Sequence, residues 1–403
     1  MNQVRSRRSG PSDDAVPPRV ALVGRTVAGI ETQFRNVSTT AKTFPWLEPL
    51  IVPVNPYHPD LLERRFRFLP ANTRGTLRSL PATAPLFSHK AIQAVWTQVD
   101  LPLLPWLVTR NGARQVPVLY STDCTPRLLH GFGPHYERSV GHSPTKRFLR
   151  DCVYRWFLQR VTWVNAWTTW AARSLEAHYG VPVSRIQVLP PGVDVSFWRP
   201  ANHSEVGGSS DSRRSPRVLF VGGDFLRKGG DLLLDVYRQR LRGRVEIDLV
   251  TRGWRGDRED GITVHSELRP NDDGLRDLYQ RADIFVLPTR ADCFSIAALE
   301  AMASGLPVII CPVGGIAELM TSGRHGLFVQ PDNGRDLARA ILTLVDDRPR
   351  REAMGSSARA LVLDHYNASI NTGRLFEILL TGDPPVPREI PLDTLRAVSR
   401  GSR

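Results

Sequence analysis

Residues 284–312 read IFVLPTRADCFSIAALEAMASGLPVIICP, and this stretch decides the fold. Ile284–Leu287 is a four-residue apolar run, the length of a buried strand. Residues 288–294 break it with a proline and polar residues. Ser295 stands where a capping hydroxyl belongs, and Ile296–Ala303 reads as a helix. Gly305 suits the position just past a helix end, and Pro307 blocks continuation. Residues 308–311 are a second apolar run. Strand, helix and strand in such close succession belong to a parallel sheet covered by helices.

The same alternation extends in both directions. Downstream of residue 216 the predicted strands are Arg217–Val221, 245–250, 262–264, Ile284–Leu287, 308–311 and 327–329. Helices are predicted near 231–237, 275–281, Ile296–Ala303, 335–345 and 351–364. Upstream, strands are expected at 19–23, 50–54, 95–98, 116–120, 161–165 and 186–189, with a turn at Gly24 and Gly29 and a helix from Ile30. Residues 201–216 (ANHSEVGGSSDSRRSP) have the composition of a linker.

The predicted class is therefore α/β, with two doubly wound, Rossmann-like domains facing across a cleft. The expected division is a disordered basic tail at 1–18, a first domain at 19–200, a linker at 201–216 and a second domain at 217–364. A C-terminal helix at 365–381 is expected to return to the first domain, followed by a loose tail at 382–403. A length of 403 residues suits two domains.

Composition narrows the function classes. Hydrophobic residues make up 41% and charged residues 23%, a globular balance. No apolar run is long enough to span a bilayer, and the opening residues carry no apolar leader core. The four cysteines, Cys124, Cys152, Cys293 and Cys311, stand far apart without a CxxC pair. That spacing argues against a zinc site or disulfide framework and suits a reducing, cytoplasmic setting.

The net charge of +13 is uneven: residues 1–200 hold 25 basic and 12 acidic side chains, whereas the remainder is neutral. Such a half could face nucleic acid, an anionic membrane or an acidic substrate, or could simply be solvated. Nucleic-acid binding is the weakest of these, because no aromatic-interleaved RNA-binding pattern or DNA-binding motif accompanies the charge.

Residues 218–231 (VLFVGGDFLRKGGD) place a glycine pair at a strand end, then Arg227 and Lys228, then a second glycine pair opening a helix. Glycines allow close backbone approach, and a helix start favours anions. Lys228 is the only lysine after residue 200, and a compact ammonium suits a phosphate. An ordinary strand–turn–helix connection is the alternative. Asp292 and Glu300 are carboxylates suited to sugar and ribose hydroxyls because they only accept hydrogen bonds. Helix capping by Asp292 and a solvated helix face for Glu300 are the plainer readings. In the first half, Asp123 follows a strand and precedes Cys124-Thr125-Pro126. It could stabilise developing positive charge on a sugar or form an Asx turn. Residues 146–160 (KRFLRDCVYRWFLQR) form a basic amphipathic helix with Phe148, Cys152 and Trp156 on one stripe. The stripe would face either a domain core or an anionic membrane.

Taken together, residues 217–332 resemble the retaining GT-B glycosyltransferases of family four, also called group one. The most specific portion is residues 292–308, DCFSIAALEAMASGLPV, with an acid, seven intervening residues and a glutamate before Gly-x-Pro-Val. Gly314-Gly315-Ile-Ala-Glu318, residues 326–331 and Leu189-Pro-Pro-Gly-Val-Asp194 also match. Asp292 stands where glutamate is usual, Ser295 where glycine is common, and Asp123 where many members carry histidine. Gly223 occupies the usual position of an arginine, which leaves Arg227 as the nearest replacement charge, although its guanidinium is expected to point away from Lys228.

The resemblance implies transfer of a sugar from a UDP- or GDP-linked donor to an acceptor hydroxyl, with retention of configuration. Lys228 and Arg227 would meet the phosphates, with the Gly29 turn closing over them. Phe294, Ser295 and Ile296 would supply backbone at the helix start, Glu300 would meet the ribose and Asp292 the transferred sugar. Asp123 and Asp292 are the expected catalytic residues. The acceptor would be a glycan or a lipid-linked molecule, with possible docking to the inner membrane face through residues 146–160. No cofactor is expected. No metal is expected either, since Glu246-Ile-Asp248 lies in a strand rather than a loop. A nucleotide-sugar epimerase of the same architecture is the alternative enzyme.

Overall fold

The computed structural model describes residues 16–26, 28–54, 81–88, 91–100, 103, 106, 116–136, 143–201, 215–254, 256 and 259–382. Most of the expected tails (1–18 and 382–403) and of the linker (201–216) lies outside them.

The first sheet contains β1 (Arg19–Arg25), β2 (Glu48–Val54), β3 (Ala94–Thr97), β4 (Val118–Thr122), β5 (Trp163–Ala166) and β6 (Ile186–Val188), in the order β2-β1-β3-β4-β5-β6. Every pairing is parallel. The side-chain period of two sends neighbours on β1 to opposite faces. Val20 and Leu22 join one core with Phe34 and Trp96, while Ala21 and Val23 join another with Val95 and Phe157. Both faces are thus buried, as an all-parallel sheet requires.

The second sheet contains β7 (Arg217–Val221), β8 (Glu246–Val250), β9 (Ile262–His265), β10 (Ile284–Leu287), β11 (Val308–Ile310) and β12 (Gly326–Phe328). Its order is β12-β11-β10-β7-β8-β9, again parallel throughout. The strand order reverses direction between β1 and β3 in one sheet and between β7 and β10 in the other. Such switch points open a crevice at the carboxyl ends of the strands.

The helices needed below are α1 (Ala28–Ala41), α2 (Pro126–Gly131), α3 (Pro144–Leu158), α4 (Thr169–Tyr179), α5 (Gly230–Val236), α6 (Asp273–Arg281), α7 (Ile296–Ala303), α8 (Gly334–Asp346), α9 (Arg348–His365) and α10 (Ala368–Thr381). Strands and helices fall within a few residues of their predicted positions. β4 starts two residues late because Pro117 has no N–H for the ladder. α5 gives way to a wide turn over Tyr237–Leu241, closed by the Arg242 N–H on the Tyr237 carbonyl at 2.9 Å.

α10 lies against the first sheet: Leu375, Phe376, Ile378 and Leu379 share a core with Val20, Leu22 and Trp96. The chain enters the second core before residue 201, because Val193 and Trp198 already pack there. The outgoing and returning segments touch at one point. Val193 N–H donates to the Tyr366 carbonyl at 2.9 Å, and Ala368 N–H donates to the Val193 carbonyl at 3.0 Å. A Cβ on Gly192 would strike the backbone of Ala368, so the two passages cross with no room for a side chain.

Two expectations in the first half are corrected. Gly29 lies in the first turn of α1, which begins at Ala28, rather than in a turn before it; Gly24 is inside β1. α3 forms as expected but buries Tyr154, Phe157 and Leu158. Of the expected stripe, Phe148 (71% exposed, with Leu149 beside it at 63%) and Cys152 face outward, and Trp156 is half-buried under the Arg160 guanidinium. Arg150 turns inward onto Asp100, with Nη2 to Oδ2 at 2.8 Å.

Candidate active site

Lys228 follows β7 and Asp292 follows β10, so the switch point of the second sheet brings them together. The Lys228 ammonium donates to Asp292 Oδ2. Arg227 Nη1 lies 3.7 Å from Asp292 Oδ1 and also donates to the Ala291 carbonyl (2.8 Å) and the Tyr136 hydroxyl (3.0 Å). The adjacent cations therefore converge on one buried carboxylate, contrary to the expectation that the Arg227 guanidinium points away. Asp292 is 5% exposed and is not the helix cap. Capping falls to Ser295, whose Oγ accepts the Ala298 N–H at 3.3 Å.

The backbone holding these side chains is tightly tied. Arg290 N–H donates to the Arg227 carbonyl at 2.9 Å, and the Arg290 guanidinium spans Asp231 (2.6 Å) and Asp332 (2.6 Å). These bonds tie the loop carrying Lys228 to the loop carrying Asp292. Gly229 has φ +77°, and a Cβ there would overlap the Pro288 carbonyl; that position requires glycine.

Glu300 is one turn inside α7 and only 4% exposed, not on a solvated face. The Tyr279 hydroxyl from α6 donates to its Oε2 at 3.1 Å. Burial pushes the Glu300 carboxyl up to about 8, and the tyrosine bond only partly opposes this.

The first domain meets this surface through the loop after β4. Asp123 lies there, held above the usual carboxylate range by burial; the Cys124 thiol opposes that and the nearby Asp292 charge adds to it. Trp167 packs edge-on to Phe294 with centroids 5.8 Å apart. Phe294, Ser295 and Ile296 form the entrance to α7 and are all buried. The described structure thus places Asp123, Arg227, Lys228, Asp292, Phe294, Ser295 and Ile296 around one interdomain surface. Glu300 lies behind it on α7, and Gly29 stays with the N-terminus of α1.

Residues 215–347 match the family described as glycosyl transferases group 1, and residues 44–197 match glycosyltransferase family 4. Both halves of the chain thus match glycosyltransferase families. The D-inositol 3-phosphate glycosyltransferase of Arthrobacter sp. is 28% identical over 57% of this chain and 61% of its own length. That of Nocardia farcinica is 32% identical over 47% of this chain and 46% of its own length. The chain thus spans about half to three fifths of the length of these relatives. Among solved structures, sucrose-phosphate synthase from Thermosynechococcus elongatus superposes with a TM-score of 0.67 at 19% identity, covering 91% of this chain and all of the other. Anabaena HepE superposes with a TM-score of 0.66 at 16% identity, with the same coverage. The fold is GT-B.

Several site residues escaped the sequence reading. Glu318 of the Gly-Gly-Ile-Ala-Glu segment reaches into the other domain, where its carboxylate accepts the Thr169 and Trp170 N–H groups, both at 2.7 Å. Those are orphan donors at the start of α4, and Thr168 Oγ1 takes a third from Ala171 at 3.2 Å. An anion there also meets the positive end of the helix dipole. Gly314 and Gly315 lie flat on the carbonyls of Asp292 and Cys293, where a Cβ would clash. Tyr136 and Arg290 carried no motif at all.

Cys124 and Cys293, distant in sequence, meet beside Asp123, and their ligand atoms all lie within 4.8 Å of one another. Neither thiol forms a disulfide. Sequence spacing held no signal for this cluster because the pair forms across the domain boundary.

Proposed function

We propose that this chain transfers a hexosyl group from a nucleoside diphosphate sugar to an acceptor hydroxyl, with retention of configuration. The observation that carries the reading is the convergence of Lys228 and Arg227 on Asp292 at the entrance to α7, opposite Asp123. Two cations held at a helix entrance are suited to a diphosphate. When the donor enters, its phosphates take over Lys228 and Arg227, and Asp292 is released to accept from hydroxyls of the transferred sugar. Glu300 accepts from the ribose. Gly29 leaves the first turn of α1 free of a side chain on the diphosphate side. The bond from the anomeric carbon to the diphosphate breaks as the acceptor oxygen bonds to the same face. The acceptor proton leaves with the departing diphosphate, and Asp123 stabilises positive charge developing on the sugar.

HepE, one of the matched structures, was solved with UDP and with UDP-glucose, which favours a uridine donor as the first to test. The experiment is titration with UDP- and GDP-sugars followed by mass spectrometry of acceptor products. Binding of neither donor class would refute the reading, and conversion of the donor sugar without any acceptor would favour epimerisation.

A peripheral membrane setting is a second proposal, supported by α3. Phe148 and Leu149 are exposed beside Lys146 and Arg147, and an apolar tip ringed by cations suits an anionic leaflet. No helix among the described residues is long and apolar enough to cross a membrane.

A further inference from the structure

We propose that Asp123, Cys124 and Cys293 form a binding site for a thiophilic divalent cation of the zinc type, completed only when the two domains meet. Asp123 and Cys124 come from the loop after β4, and Cys293 comes from the loop after β10. One carboxylate oxygen and two sulfurs lie within 4.8 Å of one another. Zinc–sulfur and zinc–oxygen bonds of about 2.3 and 2.1 Å place tetrahedral ligands roughly 3.5–3.8 Å apart, so small side-chain movements close the set.

The donor chemistry selects the metal. Two thiolates favour zinc or cadmium and reject magnesium and calcium, which take oxygen ligands. Three protein ligands leave a fourth position for water, as in open zinc sites. Both sulfurs are buried, Cys124 at 9% and Cys293 at 3% exposure, so the ion is shielded from bulk water. Coordination sends two thiol protons to solvent and leaves a net charge of −1. The Asp292 carboxylate opposes that charge, and Arg25 and Arg227 favour it. A bound ion ties the two domains together. On the transfer reading proposed above it also occupies Asp123, so zinc acts as an inhibitor that holds the cleft closed.

The test uses the full chain under a phosphine reductant, with no nucleotide sugar present. Cadmium titration is followed by the ultraviolet sulfur-to-cadmium charge-transfer band, and zinc by thermal shift. One equivalent should bind, with a band that disappears in Cys124→Ser and in Cys293→Ser and persists in Cys152→Ser, whose thiol is exposed on α3. Asp123→Asn should keep the band and lose about tenfold or more in affinity. Circular dichroism of each variant separates lost binding from lost folding. If one cysteine variant does not fold, the other cysteine variant and Asp123→Asn still decide the matter. Absence of the band in the wild-type chain, or its survival in both cysteine variants, would overturn the site. Donor binding is measured separately: a chain that binds cadmium but no nucleotide sugar refutes the transfer reading alone, and the reverse refutes the metal site alone.

Discussion

Replacing Glu300 with glutamine tests whether this carboxylate is kept for a ligand or for the fold. Its ordinary value is 4.5, and burial pushes it up to about 8. The folded state therefore holds a proton that the unfolded chain has released between those two values, and stability falls as pH rises through that window. At about 1.4 kcal/mol per unit, the cost at pH 7.5 reaches at most about 4 kcal/mol. Glutamine carries no such cost and still accepts from Tyr279, which lies 3.1 Å away. The free Glu300→Gln chain should gain several degrees in melting temperature at pH 7.5 and almost nothing near pH 4.5, given about 2–4 °C per kcal/mol for a unit of 150–250 residues.

Donor binding should move the opposite way. Ribose hydroxyls donate best to the ionised carboxylate, so the substitution should cost about tenfold in affinity, or 1.4 kcal/mol. Wild-type affinity should also rise between pH 6 and pH 8, while the variant stays flat. The assays are thermal unfolding and calorimetric titration with a UDP-sugar across that range. A variant that melts lower at every pH and binds the donor normally would refute the reasoning and make Glu300 structural.

Lys228→Ala should weaken donor binding more than tenfold and destabilise the free chain, because Asp292 keeps only the longer Arg227 contact at 3.7 Å; adding Asp292→Asn should restore the melting temperature but not the affinity, and additive losses in this cycle would argue against the pairing. Glu318→Ala should cost about 1.5–3 kcal/mol by stripping two charge-assisted bonds from the start of α4, and should widen the particle in solution scattering; unchanged melting and scattering would mean the domains are held elsewhere. Phe148→Ser with Leu149→Ser should abolish co-sedimentation with anionic vesicles while leaving donor binding intact; equal sedimentation of wild type with neutral vesicles would show that the charge has no membrane role.

The sequence alone determined the alternation of strands and helices, because apolar period, caps and breakers act over a few residues. Ser295, Gly305 and Pro307 delimit α7 by local chemistry, and the helix runs over the predicted residues Ile296–Ala303. It also singled out Lys228, Asp292 and Asp123, since each lies in a connection that follows a predicted strand. The burial side of α3 was less legible, because the same residues form two apolar stripes and only the neighbouring Tyr120 and Tyr179 select Tyr154 and Phe157.

What only the tertiary structure decided are the contacts between segments far apart in the chain. Arg227 and Lys228 share Asp292, Glu318 caps a helix of the other domain, Glu300 lies buried beneath Tyr279, and Cys124 meets Cys293. No sequence spacing announces these pairs: strand order and helix packing inside the second domain set the Asp292 and Glu300 contacts, and the facing of the two domains sets those of Glu318 and Cys293. Local propensities specify elements; long-range packing specifies which side chains share a charge or a proton and which thiols meet.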